Sequence, residues 1–256
     1  MFGEVAELYD KARAGYPDAL VDDVAGLAGA GGSPVRALEV GAGTGKATVS
    51  FAARGLRIVA LEPSAAMAAV ARRNCERFPA VSIEITSFED WPVETGGFGL
   101  LYSAQAWHWV TPEVRYPKAA EALAPGGTLA LFWNRTSWQS GPLRDELDRL
   151  YRHLVPDLYA KQPGFPGLTI PGADRDPDGE VRGTGLFRGE SVRRYPWKAT
   201  FTADSFIDLL QTQSDHRLLA GGTRAALFGE VRDIIARHGG TVVVPHATLL
   251  VTAVRR

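Results

Sequence analysis

From residue 35 to residue 133, short apolar runs alternate with Gly-rich or acidic turns and with amphipathic stretches, and the cycle repeats several times. This is the rhythm of βαβ units. The runs 35–40, 57–61, 81–85, 98–103 and 127–133 are almost continuously apolar, as strands covered on both faces must be. They predict five parallel strands of a doubly wound α/β sheet. Residues 47–53, 64–77 and 112–123 predict the crossover helices, the last stopped at Pro125-Gly126-Gly127. A helix over 18–28 and a loop over 30–34 precede the first strand.

After residue 133 the pattern changes. Residues 143–154 predict a helix, whereas 162–189 place eleven Gly and Pro in 28 positions without periodicity, which predicts a long structureless loop of the kind that serves as a lid or binding segment. Order returns with a strand over 192–201, helices over 203–214 and 223–238, a stop at Gly239-Gly240, and a final strand over 241–254.

The chain of 256 residues is 45% apolar, with eleven Phe, seven Tyr and six Trp, enough to bury a large core. A length of this order fits one domain with added elements. A formal charge of -1 leaves no basic field for a phosphate polymer or an anionic membrane, so neither nucleic acid nor membrane is expected as partner. Cys75 alone forms no intrachain disulfide, and residues 1–10 lack the basic end and apolar core of a signal peptide. The apolar run 241–254 is shorter than the roughly 20 residues of a membrane helix and contains Pro245 and His246. A cytoplasmic protein, monomer or homodimer, is the expectation. No carboxylate and histidine cluster has metal-ligand spacing.

The first strand runs into Leu38-Glu39-Val40-Gly41-Ala42-Gly43-Thr44-Gly45-Lys46. Glycines at spacing two allow a tight turn and close approach of a ligand, and the helix that follows offers free N–H groups. A Walker loop would need Gly at Val40 and a hydroxyl at Ala47, and a dinucleotide fingerprint would need its third Gly at Lys46. Glu39 puts a carboxylate beside the ligand, which suits an ammonium or sulfonium and repels a pyrophosphate. Glu62 closes the second strand 17 residues after Gly45, where a carboxylate can accept from two ribose hydroxyls, a feature that NAD enzymes share. The turn Ser87-Phe88-Glu89 lies at the end of the third strand, where polar groups can read an adenine edge.

In these motifs the chain resembles the class I S-adenosylmethionine-dependent methyltransferases, of the small-molecule group labelled methyltransferase type 11. The likeness covers about residues 9–133. It implies a Rossmann-like, mostly parallel seven-stranded sheet with a helical and loop substrate cap, the tail supplying the last two strands. The expected organisation is N-terminal lid helices over 1–30, a cofactor core over 35–133, a substrate-side insertion over 134–190, and completion of the sheet over 191–256. The resemblance implies that S-adenosylmethionine is the cofactor and S-adenosylhomocysteine the product. Glu39 would lie near the methionine part, Gly41, Ala42, Gly43 and Gly45 would line the ligand, and Glu62 with Pro63 would hold the ribose. The Ser87, Phe88 and Glu89 turn would meet the adenine, although relatives frequently carry Asp in place of Ser87. Tyr9 would cover the sulfonium and Arg13 would pair with the ligand carboxylate. Trp133 and the regions around Trp197 and His216 fall on the implied substrate side.

Ser103 and the stretch through Trp107-His108-Trp109 follow the fourth strand, at another carboxyl end beside the crevice. In-line displacement at a sulfonium needs positioning more than acid–base help. For a phenol, hydroxyl or acidic carbon, His108 is the best placed candidate base, with a structural turn histidine as its equal alternative. Trp107, Trp133 and Tyr16 are candidate substrate contacts. The rival readings are a nicotinamide-dependent oxidoreductase and a non-catalytic adenosyl-cofactor-binding protein.

Overall fold

The structure is a computed structural model that describes residues 6–29, 36–136, 138–161 and 177–256. The predicted loop over 30–34, Val35 at the head of the first strand, and the first part of the 162–189 stretch lie outside the described residues. The elements in order are α1 (Ala6–Ala12), α2 (Asp18–Gly29), β1 (Arg36–Val40), α3 (Lys46–Ala52), β2 (Arg57–Leu61), α4 (Ala65–Cys75) and β3 (Val81–Glu84). They continue with β4 (Phe98–Ala104), a 3-10 turn (Trp107–Trp109), α5 (Pro112–Ala122), β5 (Leu123–Thr136), α6 (Pro142–Leu154) and α7 (Pro156–Lys161). The chain ends with α8 (Pro177–Gly183), β6 (Phe187–Thr202), α9 (Ala203–Gln211), α10 (Ser214–Arg217), α11 (Gly221–Arg237) and β7 (Thr241–Arg255).

The strands form one open seven-stranded sheet in the order β3-β2-β1-β4-β5-β7-β6. Pairings from β3 through β5 are parallel, and β7 runs antiparallel to both β5 and β6. The central strands are buried on both faces, which is why their sequences lack a polar alternation. Leu38, Val40, Leu101, Leu129 and Leu131 meet α5 on one face, while Ala37, Ala60, Leu100 and Phe132 meet Phe51 and the α2 residues Leu20 and Val24 on the other. Edge strand β6 is different: Phe187 is buried at its start and Phe201 near its end, and much of the stretch between, including Arg188, Arg193, Arg194 and Lys198, faces water.

Among the boundaries that differ from the sequence expectation, three matter most for the fold. Residues 177–189 are not a loop: they form α8 and the start of β6. Val181 is fully buried there, and Glu180 accepts from Arg115 at 2.5 Å and from the Tyr116 hydroxyl at 3.1 Å. Contacts some 65 residues away in sequence thus hold a helix that its two glycines disfavour. The strand expected from Gly127 begins four residues earlier and extends to Thr136, because β7 pairs with it up to His246. The helix expected over 203–214 breaks at Gln211 and resumes as α10.

A further hydrophobic cluster joins α6, α9 and α11 around Leu147, Tyr151, Phe206, Leu210, Val231 and Ile235. His216, on the implied substrate side, is fully buried there. Its Nδ1 lies 2.8 Å from Asp215 and its Nε2 is 2.6 Å from the Tyr151 hydroxyl. The acceptor-only carboxylate fixes the proton on Nδ1, so Nε2 accepts from Tyr151. Burial pushes the Asp215 carboxyl up, but its bonds with His216 outweigh this and its pKa lies below the usual value. The triad locks α6 to α10.

Helix α1 crosses the carboxyl edge of the sheet. Glu7 pairs with Arg73 of α4 through two bonds of 2.6 and 2.7 Å, Asp10 accepts from Asn74 at 3.1 Å and lies 3.7 Å from Lys46, and Lys11 reaches Asp208 of α9 at 2.8 Å. The Glu7–Arg73 and Lys11–Asp208 pairs are exposed and each contributes little. Together they fix where the segment lies relative to the glycine loop.

Candidate active site

The loop after β1 is folded by its own hydrogen bonds. The Gly41 and Ala42 N–H groups both donate to the Leu61 carbonyl, at 2.9 and 3.0 Å, and the Gly45 N–H donates to Ala42 at 2.9 Å. Gly41, Gly43 and Gly45 all have positive φ, at 77°, 60° and 83°, a region that side chains rarely tolerate. Each glycine has a separate reason. A Cβ on Gly41 would lie 2.3 Å from the Ala106 Cβ, and one on Gly45 would lie 3.2 Å from the Ala71 Cα, so those two let other chain segments approach. A Cβ on Gly43 would meet no atom within 4 Å. Only there does the loop present bare backbone to open space.

Two carboxylates frame that opening. Glu39 is fully buried. Its Oε2 accepts from Thr48 at 2.5 Å and from Tyr102 at 2.9 Å, while Oε1 is buried without a partner. Burial drives its pKa up to about 7, against the pull of those two hydroxyls. An orphaned buried acceptor of this kind fits a cationic group placed against it. Glu62 closes β2 and holds the loop from the other side: Oε2 accepts from the Gly43 N–H at 2.8 Å and Oε1 from the Ser64 N–H at 2.9 Å. Its pKa is raised, burial outweighing the two amide bonds. A carboxylate has about four lone-pair positions, so two more donors can be accepted.

The remaining predicted residues fall into two groups. Tyr9 and Tyr16 are half-buried near the crevice; Tyr16 meets Phe132 edge-on at 4.9 Å, and burial together with the nearby Tyr9 and Glu39 pushes its hydroxyl pKa up. Pro63 is exposed beside Glu62, and His108 is half-buried in the turn after β4, next to the exposed Trp109 at 5.0 Å between ring centres. Others are engaged within the protein. Arg13 stacks over Tyr9 and donates to Thr212 and Gln213, both at 2.9 Å, so its guanidinium joins the N-terminal segment to the link between α9 and α10. The Ser103 hydroxyl donates to the Val40 carbonyl at 2.8 Å. Ser87 bonds Asp90 at 2.7 Å within its own turn, and Glu89 accepts from the Thr111 N–H and hydroxyl at 2.8 and 2.9 Å. Phe88, Trp107 and Trp133 are core residues, with Trp107 packed between Phe88 and Tyr116. Their bulk is visible in the sequence, but the face they take is not.

The sequence reading missed Gln105. It follows β4 with φ 62°, the only non-glycine with positive φ among the described residues. Its N–H donates to Phe132 at 2.9 Å, and its side-chain Oε1 is buried without a partner, as is the Thr44 hydroxyl. Strain of this type persists where the surroundings over-determine it, commonly at functional sites. The αL tendency of Gln is too weak to be read from sequence.

Replacing Glu62 by Ala removes the acceptor of two amide donors. Expected results are a loss of about 2 kcal/mol in stability by denaturant titration and a roughly tenfold weaker binding of S-adenosylhomocysteine by calorimetry. Unchanged values in both would show that the carboxylate neither holds the loop nor meets a ligand.

Residues 37–127 match the methyltransferase-domain family. Over 258 aligned positions, covering 98% of this chain and 94% of the relative, the chain is 29% identical to an uncharacterized methyltransferase of Mycobacterium tuberculosis. The YcgJ protein of Bacillus subtilis has a similar fold, with a TM-score of 0.58 at 15% identity over 94% of this chain and 99% of that one. So does a geranyl diphosphate C-methyltransferase of Streptomyces coelicolor, solved with S-adenosyl-L-homocysteine, with a TM-score of 0.52 at 16% identity over 93% and 76%.

Proposed function

We infer that this chain, a member of the class I S-adenosylmethionine-dependent methyltransferases, transfers a methyl group to a small-molecule acceptor in the crevice at the carboxyl ends of β1, β2 and β4. The observation that carries the reading is the pairing of a buried, half-satisfied Glu39 with a glycine loop whose one open position is Gly43. When bound, S-adenosylmethionine supplies a methyl group on a sulfonium, a leaving group that needs no acid.

The protein's own residues then have the work of holding and orienting. Glu39 presents the unpaired Oε1 to the cationic methionine part, and the charge it gains there offsets its burial. Gly43 allows the backbone to approach without a side chain between, and Glu62 uses its remaining lone pairs for the ribose hydroxyls. Tyr9 and Tyr16 close the crevice from the N-terminal side and exclude water. Alignment of acceptor, methyl and sulfur is the largest contribution such a site can make. The experiment is calorimetric titration with S-adenosylhomocysteine, followed by incubation with methyl-labelled cofactor and a metabolite extract to find the labelled compound. No binding overturns the reading.

For an acceptor that must lose a proton, we place the base at His108, half-buried in the turn after β4. His108→Asn is expected to lower kcat on the labelled acceptor by roughly ten- to a hundredfold, with cofactor affinity unchanged. An unchanged kcat assigns His108 to the structure of the turn.

A further inference from the structure

On the far side of Gln105 from the glycine loop lies a second group of polar and aromatic side chains, contributed by β5, β7 and β6. Thr248 pairs with Asn134, His246 with Thr136, and Trp197 with His246 across the three strands. The Trp197 and His246 rings stack at 4.4 Å between centres and 17° between planes. The indole N–H donates to the Thr248 hydroxyl at 2.9 Å, that hydroxyl donates to Asn134 Oδ1 at 2.7 Å, and the Asn134 amide donates to the Gly15 carbonyl at 3.0 Å. The indole N–H is therefore satisfied within the protein, and what Trp197 offers is its ring.

His246 is the group left with capacity. Its Nδ1 lies 2.9 Å from the Val244 carbonyl. A carbonyl only accepts, so Nδ1 carries the hydrogen and the neutral ring keeps a lone pair on Nε2. Burial lowers its pKa, against the pull of Val244, which favours that neutral form. Both rings are half-buried. Gln105 adds a second unsatisfied acceptor, since its Nε2 turns to the Asn134 carbonyl at 3.5 Å while its Oε1 is buried without a partner. Asn134, whose carbonyl Gln105 faces, and Thr136, the strand partner of His246, stand two residues apart on one face of β5, about 7 Å.

We propose that Trp197 and His246 form the acceptor-side wall of the crevice and that this wall takes a planar aromatic molecule with a hydroxyl or N–H donor, which His246 Nε2 receives as a hydrogen-bond acceptor. The proposal rests on the methyl-transfer reading for its use, and makes His246 a specificity-determining residue. A flat ring fits against the paired rings by offset stacking. A half-buried acceptor that a bound ring covers disfavours an analogue without the matching donor, because its lone pair is then cut off from water and stranded.

The test compares 2-naphthol with 2-methoxynaphthalene, the same ring with its donor blocked, by calorimetry on the protein saturated with S-adenosylhomocysteine. The expected result is 2-naphthol bound at least about tenfold more tightly than the ether, a preference abolished in His246→Phe, partly restored in His246→Gln, and weakened for both probes in Trp197→Leu. Cofactor-product affinity serves as the folding control and stays at the wild-type value in all three variants. Absence of 2-naphthol binding, equal affinity for the two probes, or a preference that survives His246→Phe overturns the proposal. If S-adenosylhomocysteine itself does not bind, the methyl-transfer reading falls, and the same comparison on the ligand-free protein still decides the role of His246.

Discussion

Gly41→Val is expected to destabilise the protein by about 4 kcal/mol and to abolish S-adenosylhomocysteine binding. Two costs add at this position. The backbone sits at φ 77°, where a side chain costs about 1–2 kcal/mol, and the first added carbon would lie 2.3 Å from the Ala106 Cβ, so β1 and the segment after β4 must part, at about 1–3 kcal/mol. That separation also moves Gln105 and the Glu39 strand end. Gly43→Ala is the informative contrast. No atom lies within 4 Å of a Cβ there, so only the left-handed strain of about 1 kcal/mol applies, yet the open face is filled and ligand binding should be lost to a similar degree. Denaturant midpoints and calorimetry together separate the two. Equal stability losses at both positions would refute the division of labour between the glycines.

Glu39→Gln is expected to act oppositely on stability and on binding. In the folded protein the Glu39 pKa is about 7, against roughly 4.3 for a free glutamate. A raised folded pKa means that the folded state holds the proton more tightly, so this group's contribution is fully present below about pH 4 and declines as pH rises through 7. The difference amounts to about 3 kcal/mol at pH 8. The ligand-free Glu39→Gln variant should therefore be more stable than wild type at pH 8 by up to about that amount, and the gap should close near pH 4. Its amide oxygen can still accept from Thr48 and Tyr102. Binding moves the other way: a cationic ligand draws the proton off Glu39, so wild-type affinity should rise with pH up to about 7, with proton release detectable in buffers of different ionisation heat. Should Glu39→Gln bind S-adenosylmethionine as tightly as wild type, with the same pH dependence, Glu39 would be removed from the site.

The fold was legible where local chemistry and tertiary environment agree. Strands covered on both faces must be apolar along most of their length, so β1, β2, β4 and β5 stand out in sequence, and β2 has the expected bounds. Segment 177–189 was not legible, because Val181 burial and the Arg115–Glu180 pair stabilise α8 from outside it. The same holds for Arg13. Its type and place near the N-terminus fit a ligand carboxylate, but its partners Thr212 and Gln213 are some 200 residues away, and no local pattern announces them.

By itself the sequence determined the glycine turn, the two carboxylates at strand ends and the alternation that forces a doubly wound sheet, because each is a requirement of backbone geometry or burial within a few residues. The tertiary structure decided which of the three glycines faces open space, which oxygen of Glu39 stays unpaired, and that the Trp197 and His246 rings stack across two strands. Those depend on how separate strands pack and register against one another, and a strand carries no mark of the neighbour that will satisfy or strand its polar atoms.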